Sequence, residues 1–276
     1  MTSAIEILQL SKTYSSGLKA LSDINLEVEQ GEIFALLGSN GAGKTTLIKI
    51  LTTLLVPTTG TAKILGKDVI RDRMNVRRHI ACIAQKPSLD SFLSLKENME
   101  FQGKLYGLSS GDMRVRMEKL IYIFHLDTYL NYPMNHFSGG MLRRADIAVN
   151  MMSNPKILFL DEPTTGMDIA SRMSLWSTIE EIRDEFNTTI VLTTHYLEEA
   201  EQLSDQIAIL QKGRLLIQDS MENLKKHFGQ KICEVTWSDV KIAKSMTEKI
   251  KKNFPFYSIV RNKETTLIKI KINLFS

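Results

Sequence analysis

One eight-residue segment restricts the fold of this chain more than any other part of the sequence. Residues 38–45 read Gly-Ser-Asn-Gly-Ala-Gly-Lys-Thr, and the apolar run Ile33–Leu37 comes directly before them. After the segment, apolar residues recur at the spacing of a core-facing helix, at Leu47, Ile50, Leu51, Leu54 and Leu55. Pro57 and Gly60 are expected to end that helix. A glycine-rich loop between a strand and a helix turns backbone N–H groups toward an anion, so the segment predicts a phosphate site.

Further apolar runs alternate with helical patterns along the chain. Four of them are predicted to be strands: Ile24–Val28, Ile80–Ala84, Ile157–Leu160 and Thr189–Thr193. A helix is predicted around Ser171–Phe186, and the spacing between Lys86 and Asn135 is mostly helical. Alternating apolar strands and helices predict an α/β fold built on a parallel sheet, with an inserted helical subdomain.

Composition excludes several classes of protein. With 276 residues, 43% hydrophobic and 24% charged, the chain is neither disordered nor fibrous. No run approaches the roughly 18 to 20 apolar residues of a membrane-spanning helix, and no secretory signal is visible, so we expect an intracellular location. The two cysteines, Cys82 and Cys233, are too few for a disulfide framework and favour a reducing compartment. The net charge of +4 is too small to indicate nucleic acid as a partner.

The C-terminal segment differs from the rest of the chain. Residues 231–276 carry 10 basic and 4 acidic side chains, whereas the first 230 residues are close to neutral. Alternation at Leu267–Ile272 predicts a strand, and a helix is predicted around Asp239–Lys252. We therefore predict a small α+β extension beginning near Gly229. Its basic charge would suit anionic lipid or a partner, or would simply form a solvated face.

Two carboxylates follow the apolar run Ile157–Leu160. At the carboxyl end of a buried parallel strand, Asp161 would lie where ligands of open α/β sheets bind, and it suits Mg²⁺. Glu162 suits a base that polarises the attacking water. Two acids can also merely end a strand, but the upstream phosphate loop favours the catalytic interpretation.

A third motif reveals a resemblance to a known family. Residues 137–141 read Phe-Ser-Gly-Gly-Met and end 20 residues before Asp161. Together with the phosphate loop and Asp161-Glu162, this order resembles the ATP-binding subunit of ABC transporters over residues 4–220. The family signature is Leu-Ser-Gly-Gly-Gln, so Phe137 and Met141 depart from it. The Gly-Gly-Met-x-Arg-Arg form resembles the branch that exports drugs and polysaccharides.

The resemblance implies a role for each matching residue. Lys44 would contact the β- and γ-phosphates, Thr45 and Gln85 would join Asp161 at Mg²⁺, and Gln85 would also approach the attacking water. Tyr14 would stack on adenine, and His195 would hold the γ-phosphate and the water beside Glu162. ATP and Mg²⁺ are the expected cofactors, and the remaining nucleotide contacts would come from Gly38, Ser39, Asn40, Gly41, Ala42, Gly43 and Thr46. Ser138, Gly139, Gly140 and Asp168 would face ATP held by a second subunit.

The predicted function is ATP hydrolysis that drives transport, with export as the expected direction, through a separate membrane permease. We expect a homodimer or heterodimer of ATPase subunits, cytoplasmic and peripheral on the inner face of the membrane through that permease. The predicted ATPase core is 1–85 with 137–229, and the predicted extension is 230–276. The helical subdomain 86–136 would contact the permease, with four candidates: Leu89, Phe92, Leu93 and Tyr106.

Three other functions are less consistent with the sequence than transport. A related ATPase acting on ribosomes or nucleic acid would usually carry two ATPase units or long coiled coils, and this chain has neither, so nucleic acid is not expected. A GTPase would need Asn-Lys-x-Asp, but the pair Asn262-Lys263 is followed by Glu264-Thr265. A binding-only subunit is disfavoured by the intact Lys44, Asp161, Glu162 and His195.

Overall fold

The computed structural model describes residues 3–228, 232–237, 257–261 and 268–273. Two compact units divide the chain, Met1–Met221 and Glu222–Ser276. Within the described ranges, no helix is both long enough and apolar enough to cross a membrane.

The strands of the first unit form two sheets. Their bounds are β1 Ser3–Thr13, β2 Lys19–Glu29, β3 Ile33–Leu37, β4 Thr59–Ile64, β5 Lys67–Asp68, β6 Ile80–Ile83, β7 Ile157–Asp161, β8 Thr189–Thr194, β9 Gln206–Gln211 and β10 Arg214–Asp219. The larger sheet has the order β10-β9-β3-β8-β7-β6 and is parallel except for β10. The smaller sheet, β2-β1-β4-β5, is antiparallel throughout. The predicted α/β fold with a parallel sheet is therefore confirmed.

Helices cover the sheets and fill the insertion between β6 and β7. Their bounds are α1 Lys44–Leu51, α2 Arg73–Arg77, α3 Leu95–Leu105, α4 Ser110–Ile123, α5 Gly139–Met151, α6 Ile169–Phe186, α7 Leu197–Leu203 and α8 Met221–Phe228. Because α3 and α4 both fall within 86–136, this region is mostly helical, as its spacing predicts. The subdomain boundaries themselves stay predictions.

The main core lies around α1. This helix contacts β2 and β4 of the small sheet and β7 of the large one. Its buried side chains, including Leu47 and Ile50, pack with Ile5, Phe34 and Phe159 from the two sheets. Since every residue of β8 is buried, the large sheet is covered on both faces, as its uninterrupted apolar runs require.

Three details differ from the sequence predictions. The helix after the phosphate loop ends at Leu51, well before Pro57, because Thr53 adopts a left-handed backbone with φ 64°. Leu54 is consequently 68% exposed and does not continue the core stripe, while Leu55 only packs against its edge. The strand predicted to reach Ala84 ends at Ile83. The antiparallel sheet was not predicted: the strand predicted at Ile24–Val28 is present within β2, but the other, partly exposed strands of this sheet lack long apolar runs.

The described part of the second unit includes three strands: β11 Ile232–Trp237, β12 Tyr257–Arg261 and β13 Ile268–Asn273. They form an antiparallel sheet with β13 in the centre, pairing Val235 with Ile270 and Ile259 with Ile270. The strand predicted at Leu267–Ile272 is therefore present, shifted by one residue. The helix predicted at Asp239–Lys252 lies outside the described residues.

Candidate active site

The order of the parallel strands brings the predicted motifs to one edge of the large sheet. β3, β8, β7 and β6 are neighbours in that order, and parallel pairing places their carboxyl ends on the same side. Gly38 follows β3, His195 follows β8, Glu162 follows β7 and Gln85 lies two residues after β6. Motifs more than 100 residues apart in sequence thus meet where ligands of open α/β sheets bind.

The phosphate loop leads directly into α1. Gly43, immediately before the helix, has φ 109°, and a Cβ there would lie 2.7 Å from the Ala20 carbonyl oxygen. A Cβ on Gly38 would lie 2.5 Å from the Leu210 carbonyl oxygen, so the loop requires glycine at both positions. The Lys44 ammonium is buried and donates to the Gly38 carbonyl at 2.7 Å. A second bond, to the Ser39 carbonyl at 3.3 Å, helps to hold this positive charge at the loop.

A cavity of about 610 Å³ opens beside this loop. Most predicted nucleotide contacts line it: Tyr14, Ser39, Asn40, Gly41, Ala42, Gly43, Lys44, Thr45, Thr46, Gln85, Asp161 and Glu162. The Tyr14 hydroxyl lies 3.2 Å from the Thr46 hydroxyl, which places the aromatic ring at the cavity wall. Gly38 and His195, two further predicted site residues, are not among the residues that line this cavity.

Asp161 is held by two threonines. Thr193 donates to Asp161 Oδ1 at 2.6 Å, and Thr45 donates to Asp161 Oδ2 at 3.2 Å. Thr193 was not identified from the sequence. Its only signal there is a hydroxyl residue at the end of a buried strand, which was read as part of the strand.

Glu162 lies between the lysine and the histidine. Its Oε1 is 3.4 Å from Lys44 Nζ and 3.5 Å from His195 Nδ1, and Thr165 donates to Oε2 at 3.2 Å. The Glu162 backbone has φ 47°, a left-handed conformation rare for glutamate and common at functional sites. Its N–H donates to Thr193 Oγ1 at 3.0 Å. A carboxylate is thereby directed into the cavity, close to where Lys44 would meet a phosphate.

A second cavity of about 400 Å³ shares Gln85 and Glu162 with the first. It contains the remaining predicted contacts, namely Ser138, Gly139, Gly140 and Asp168. Ser138 caps α5 by accepting from Met141 N at 3.4 Å, and Asp168 caps α6 by accepting from Ser171 N at 2.9 Å. Hydrogen bonds from Ser171 lower the pKa of Asp168, so this carboxylate stays charged.

Arg143 is a further buried residue near the site. In the sequence it is the first arginine of the Gly-Gly-Met-x-Arg-Arg form, and no role is predicted for it. In the structure Arg143 is 5% exposed, and its guanidinium donates to three backbone carbonyls, those of Ala84, Asp161 and Pro163. A doubled arginine that begins three residues after Gly140 is the only sequence signal, and it does not show which arginine points inward.

The donors at this edge fit a magnesium ion. In the described part of the chain, no cluster of three or more His, Cys, Asp or Glu residues could hold a metal. The oxygens of Thr45, Asp161 and Gln85 nevertheless line one cavity, and Mg²⁺ is usually bound by one or two carboxylates together with substrate phosphates. Phosphate oxygens of a bound nucleotide would therefore be needed, in addition to these three residues, to complete the ligands of the ion.

The glycine loop, the buried lysine and the paired carboxylates together define a P-loop nucleoside-triphosphatase fold with a hydrolytic site. Comparison with known proteins then gives the family. The model of the family described as "ABC transporter" matches residues 21–165. The doxorubicin resistance ATP-binding protein DrrA of Mycobacterium tuberculosis is 39% identical over 239 residues, covering 86% of this chain and 72% of DrrA.

Solved structures agree with this assignment. A structure titled as the ATP-binding subunit of an ABC transporter has a TM-score of 0.73 and 31% identity, covering 82% of this chain and 93% of that one. An ATP-binding cassette solved as a dimer with ADP and Pi has a TM-score of 0.70 and 26% identity, covering 79% and 98%. The chain belongs to the ABC transporter family, as a subunit that binds and hydrolyses ATP to drive transport through a separate membrane permease. The resemblance stated from the motifs is confirmed, and these relatives give no support to a ribosomal or nucleic-acid function.

Proposed function

We propose that this subunit hydrolyses Mg-ATP in the larger cavity and powers export. The observation that carries the proposal is the position of Glu162, which lies within 3.5 Å of both Lys44 Nζ and His195 Nδ1 at the wall of the phosphate cavity. Lys44 and the loop N–H groups balance the charge of the phosphates, and Tyr14 stacks on the base. Glu162 polarises the attacking water, and His195 holds the Glu162 carboxylate in place.

Thr45, Asp161 and Gln85 are the residues that would hold Mg²⁺. When bound, the ion neutralises charge on the phosphate oxygens. The role of this chain is to supply the oxygen donors and to orient them. Thr193 supports this orientation, because its hydroxyl donates to Asp161 and accepts from the N–H of Glu162.

The second cavity supports a two-subunit arrangement. ABC ATPase subunits act as dimers with membrane permeases, and one similar cassette is dimeric in its solved structure. Ser138, Gly139 and Gly140 at the start of α5 offer backbone N–H groups to an anion. ATP held by one subunit would be covered by these residues and by Asp168 of a second, identical or homologous subunit. Closure on ATP and release after hydrolysis would then transmit work to the permease.

The helical insertion is the proposed contact with that permease. Phe92 is 84% exposed and Tyr106 is 44% exposed, whereas Leu89 and Leu93 are half-buried. Tyr106 also lines a groove of about 490 Å³ between the insertion and the region around α2. Exposed aromatic residues suit a protein interface. Docking there would keep the subunit peripheral, on the inner face of the cell membrane.

The transported compound is proposed from the relatives. DrrA of Mycobacterium tuberculosis is named for doxorubicin resistance, and this chain spans 72% of its length. We take amphipathic drug-like molecules as the exported class. Since this subunit only supplies ATP hydrolysis, recognition of the compound would be the task of the permease.

The variant Glu162→Gln tests this function. It should bind Mg-ATP with normal affinity, lose at least about 100-fold in turnover because the water is no longer polarised, and remain dimeric on gel filtration. Cells containing the permease and this variant should accumulate more doxorubicin than wild-type cells. Glu198→Gln is the matched control, since Glu198 is exposed and follows His195 by three residues.

Three results would contradict parts of the proposal. Wild-type turnover in Glu162→Gln would show that ATP hydrolysis does not need this carboxylate. A variant that stays monomeric with ATP, beside a wild type that hydrolyses ATP as a monomer, would remove the two-subunit arrangement. Equal doxorubicin accumulation in the two cell lines would show that doxorubicin is not a transported substrate. It would not contradict the proposed ATP hydrolysis.

A further inference from the structure

The Arg143 guanidinium donates hydrogen bonds to three backbone carbonyls, and each of these carbonyls belongs to a neighbour in sequence of a proposed catalytic residue. Nε donates to the Pro163 carbonyl at 3.1 Å, Nη1 to the Ala84 carbonyl at 2.5 Å and Nη2 to the Asp161 carbonyl at 3.2 Å. Since Arg143 as a whole is only 5% exposed, its guanidinium has little contact with water. Each of its three nitrogens therefore has a protein partner, as a buried cation requires.

Two of these carbonyls flank Glu162. Asp161 precedes it and Pro163 follows it, so one planar guanidinium bonds the backbone on both sides of the residue that would polarise water. Glu162 itself has φ 47°, which is disfavoured for a residue with a side chain. Such a conformation persists only where the surrounding structure fixes it. The two bonds from Arg143 contribute to that restraint, together with the bond from the Glu162 N–H to Thr193 Oγ1.

The third carbonyl belongs to Ala84, which directly precedes Gln85. One turn further along α5, Asp146 Oδ1 accepts from the N–H and the hydroxyl of Ser88, at 3.3 and 3.0 Å. The segment containing Gln85 is thus attached to α5 at both of its ends. Arg143 and Asp146 lie 3.8 Å apart at the closest and are both buried.

We propose that Arg143 is a positioning residue for ATP hydrolysis, fixing the backbone on both sides of Glu162 and before Gln85 to helix α5. This role rests on the function proposed above for Glu162. Arginine suits it because its rigid fork carries five donors that can reach several carbonyls at once. Lysine, a single point charge on a flexible stem, would reach fewer of them.

Arg143→Gln and Arg143→Lys test the role. In Arg143→Gln, kcat should fall by about 100-fold, since displacing a reacting group by about 1 Å can cost that much. KM for ATP and binding of a fluorescent ATP analogue should stay within about twofold, because Arg143 does not line the larger cavity, where ATP is proposed to bind. Arg143→Lys should recover part of the lost turnover.

The matched control is Arg116→Gln. Arg116 donates through Nε to the Met151 carbonyl at 3.0 Å, at the opposite end of the same helix. Its loss removes a similar guanidinium–carbonyl bond from α5 without touching the site. Thermal unfolding shows whether each of the three variants is folded, independently of its turnover. Arg116→Gln should keep wild-type kcat.

A double variant tests whether Arg143 acts through Glu162. In the Glu162→Gln background, adding Arg143→Gln should leave the ATP-dependent dimer intact and lower the residual turnover little further. Loss of that dimer would mean that Arg143 supports nucleotide binding instead, and would overturn the proposal. So would wild-type turnover in a folded Arg143→Gln, or a lysine variant no better than glutamine.

The failure of this inference is distinguishable from failure of the proposed function. If Glu162→Gln loses turnover and Arg143→Gln does not, the positioning role alone is wrong. If Glu162→Gln keeps wild-type turnover, the hydrolytic assignment of Glu162 is wrong and the positioning role fails with it.

Discussion

Glu32 lies in the turn between β2 and β3 and is only partly accessible to solvent. Burial and the nearby carboxylates of Asp205 and Glu29 raise its pKa from its ordinary 4.5 to about 7, although the N–H of Glu29 donates to its carboxylate at 2.9 Å. The native protein therefore binds this proton more tightly than the unfolded chain does. The contribution of Glu32 to the free energy of unfolding is therefore greatest below about pH 4.5, and it falls as the pH rises toward 7.

Glu32→Gln should remove this pH dependence. The amide oxygen can still accept from Glu29, but the side chain no longer has to ionise. We expect the variant to gain on the order of 1 kcal/mol over wild type above pH 7, after discounting for solvent screening, and to match it near pH 4.5. Urea unfolding at pH 4.5, 6 and 8 measures this difference. The same difference in unfolding free energy between variant and wild type at all three pH values would contradict the raised pKa of Glu32.

At the scale of single residues, the sequence predicted groups whose chemistry is visible in their motif. Lys44, Asp161, Glu162 and His195 were all recognised, and the structure brings them together at one edge of the sheet. Arg143 was missed because its partners are backbone carbonyls from segments far apart in sequence. Contacts with backbone leave no residue type at a fixed spacing, so a pattern cannot reveal them.

At the scale of elements, α1 shows where periodicity misleads. The apolar spacing continues to Leu54 and Leu55, but the helix ends at Leu51 and Thr52 caps it. Thr53 then has φ 64°, which reverses the chain before the next apolar pair. Apolar spacing indicates which residues could share one face of a helix. Only the backbone geometry decides where the helix, and with it that face, ends.

Leu51→Ala and Leu54→Ala form a matched pair that tests this end. Leu51 is 2% exposed, so its truncation should leave a cavity and cost about 2–5 kcal/mol of unfolding free energy. Leu54 is 68% exposed, so its truncation should change stability by less than about 0.5 kcal/mol. Chemical denaturation of both variants measures the contrast. Similar losses would show that the helix continues in solution, as its spacing first indicated.

At the scale of the whole molecule, the site depends on strand order. β8 lies between β3 and β7, so His195 reaches Glu162 although 33 positions separate them in sequence. Ligand binding should therefore stabilise the entire first unit, because the residues around the larger cavity come from several elements of both sheets.

Mg-ATP should raise the melting temperature. At about 100 times its Kd a ligand adds about 2.7 kcal/mol, which corresponds to a rise of roughly 5–10 °C for a domain of this size. The rise should be smaller with ATP and EDTA, because Thr45 and Asp161 then lack their metal, and absent in Lys44→Ala. Lys49→Ala, an exposed lysine on the same helix, is the control. An equal rise with EDTA would contradict the magnesium assignment.

The sequence alone determined the family, the parallel sheet and nearly every side chain proposed to act on ATP. It did so because phosphate binding needs glycine, lysine and carboxylate at fixed spacings within single loops. Only the tertiary structure decided that Glu162 adopts a strained backbone, that Thr193 bonds both the Asp161 carboxylate and the Glu162 N–H, and that Arg143 joins three segments. Those features arise from carbonyls and N–H groups that every residue carries, and chain folding alone selects which of them meet.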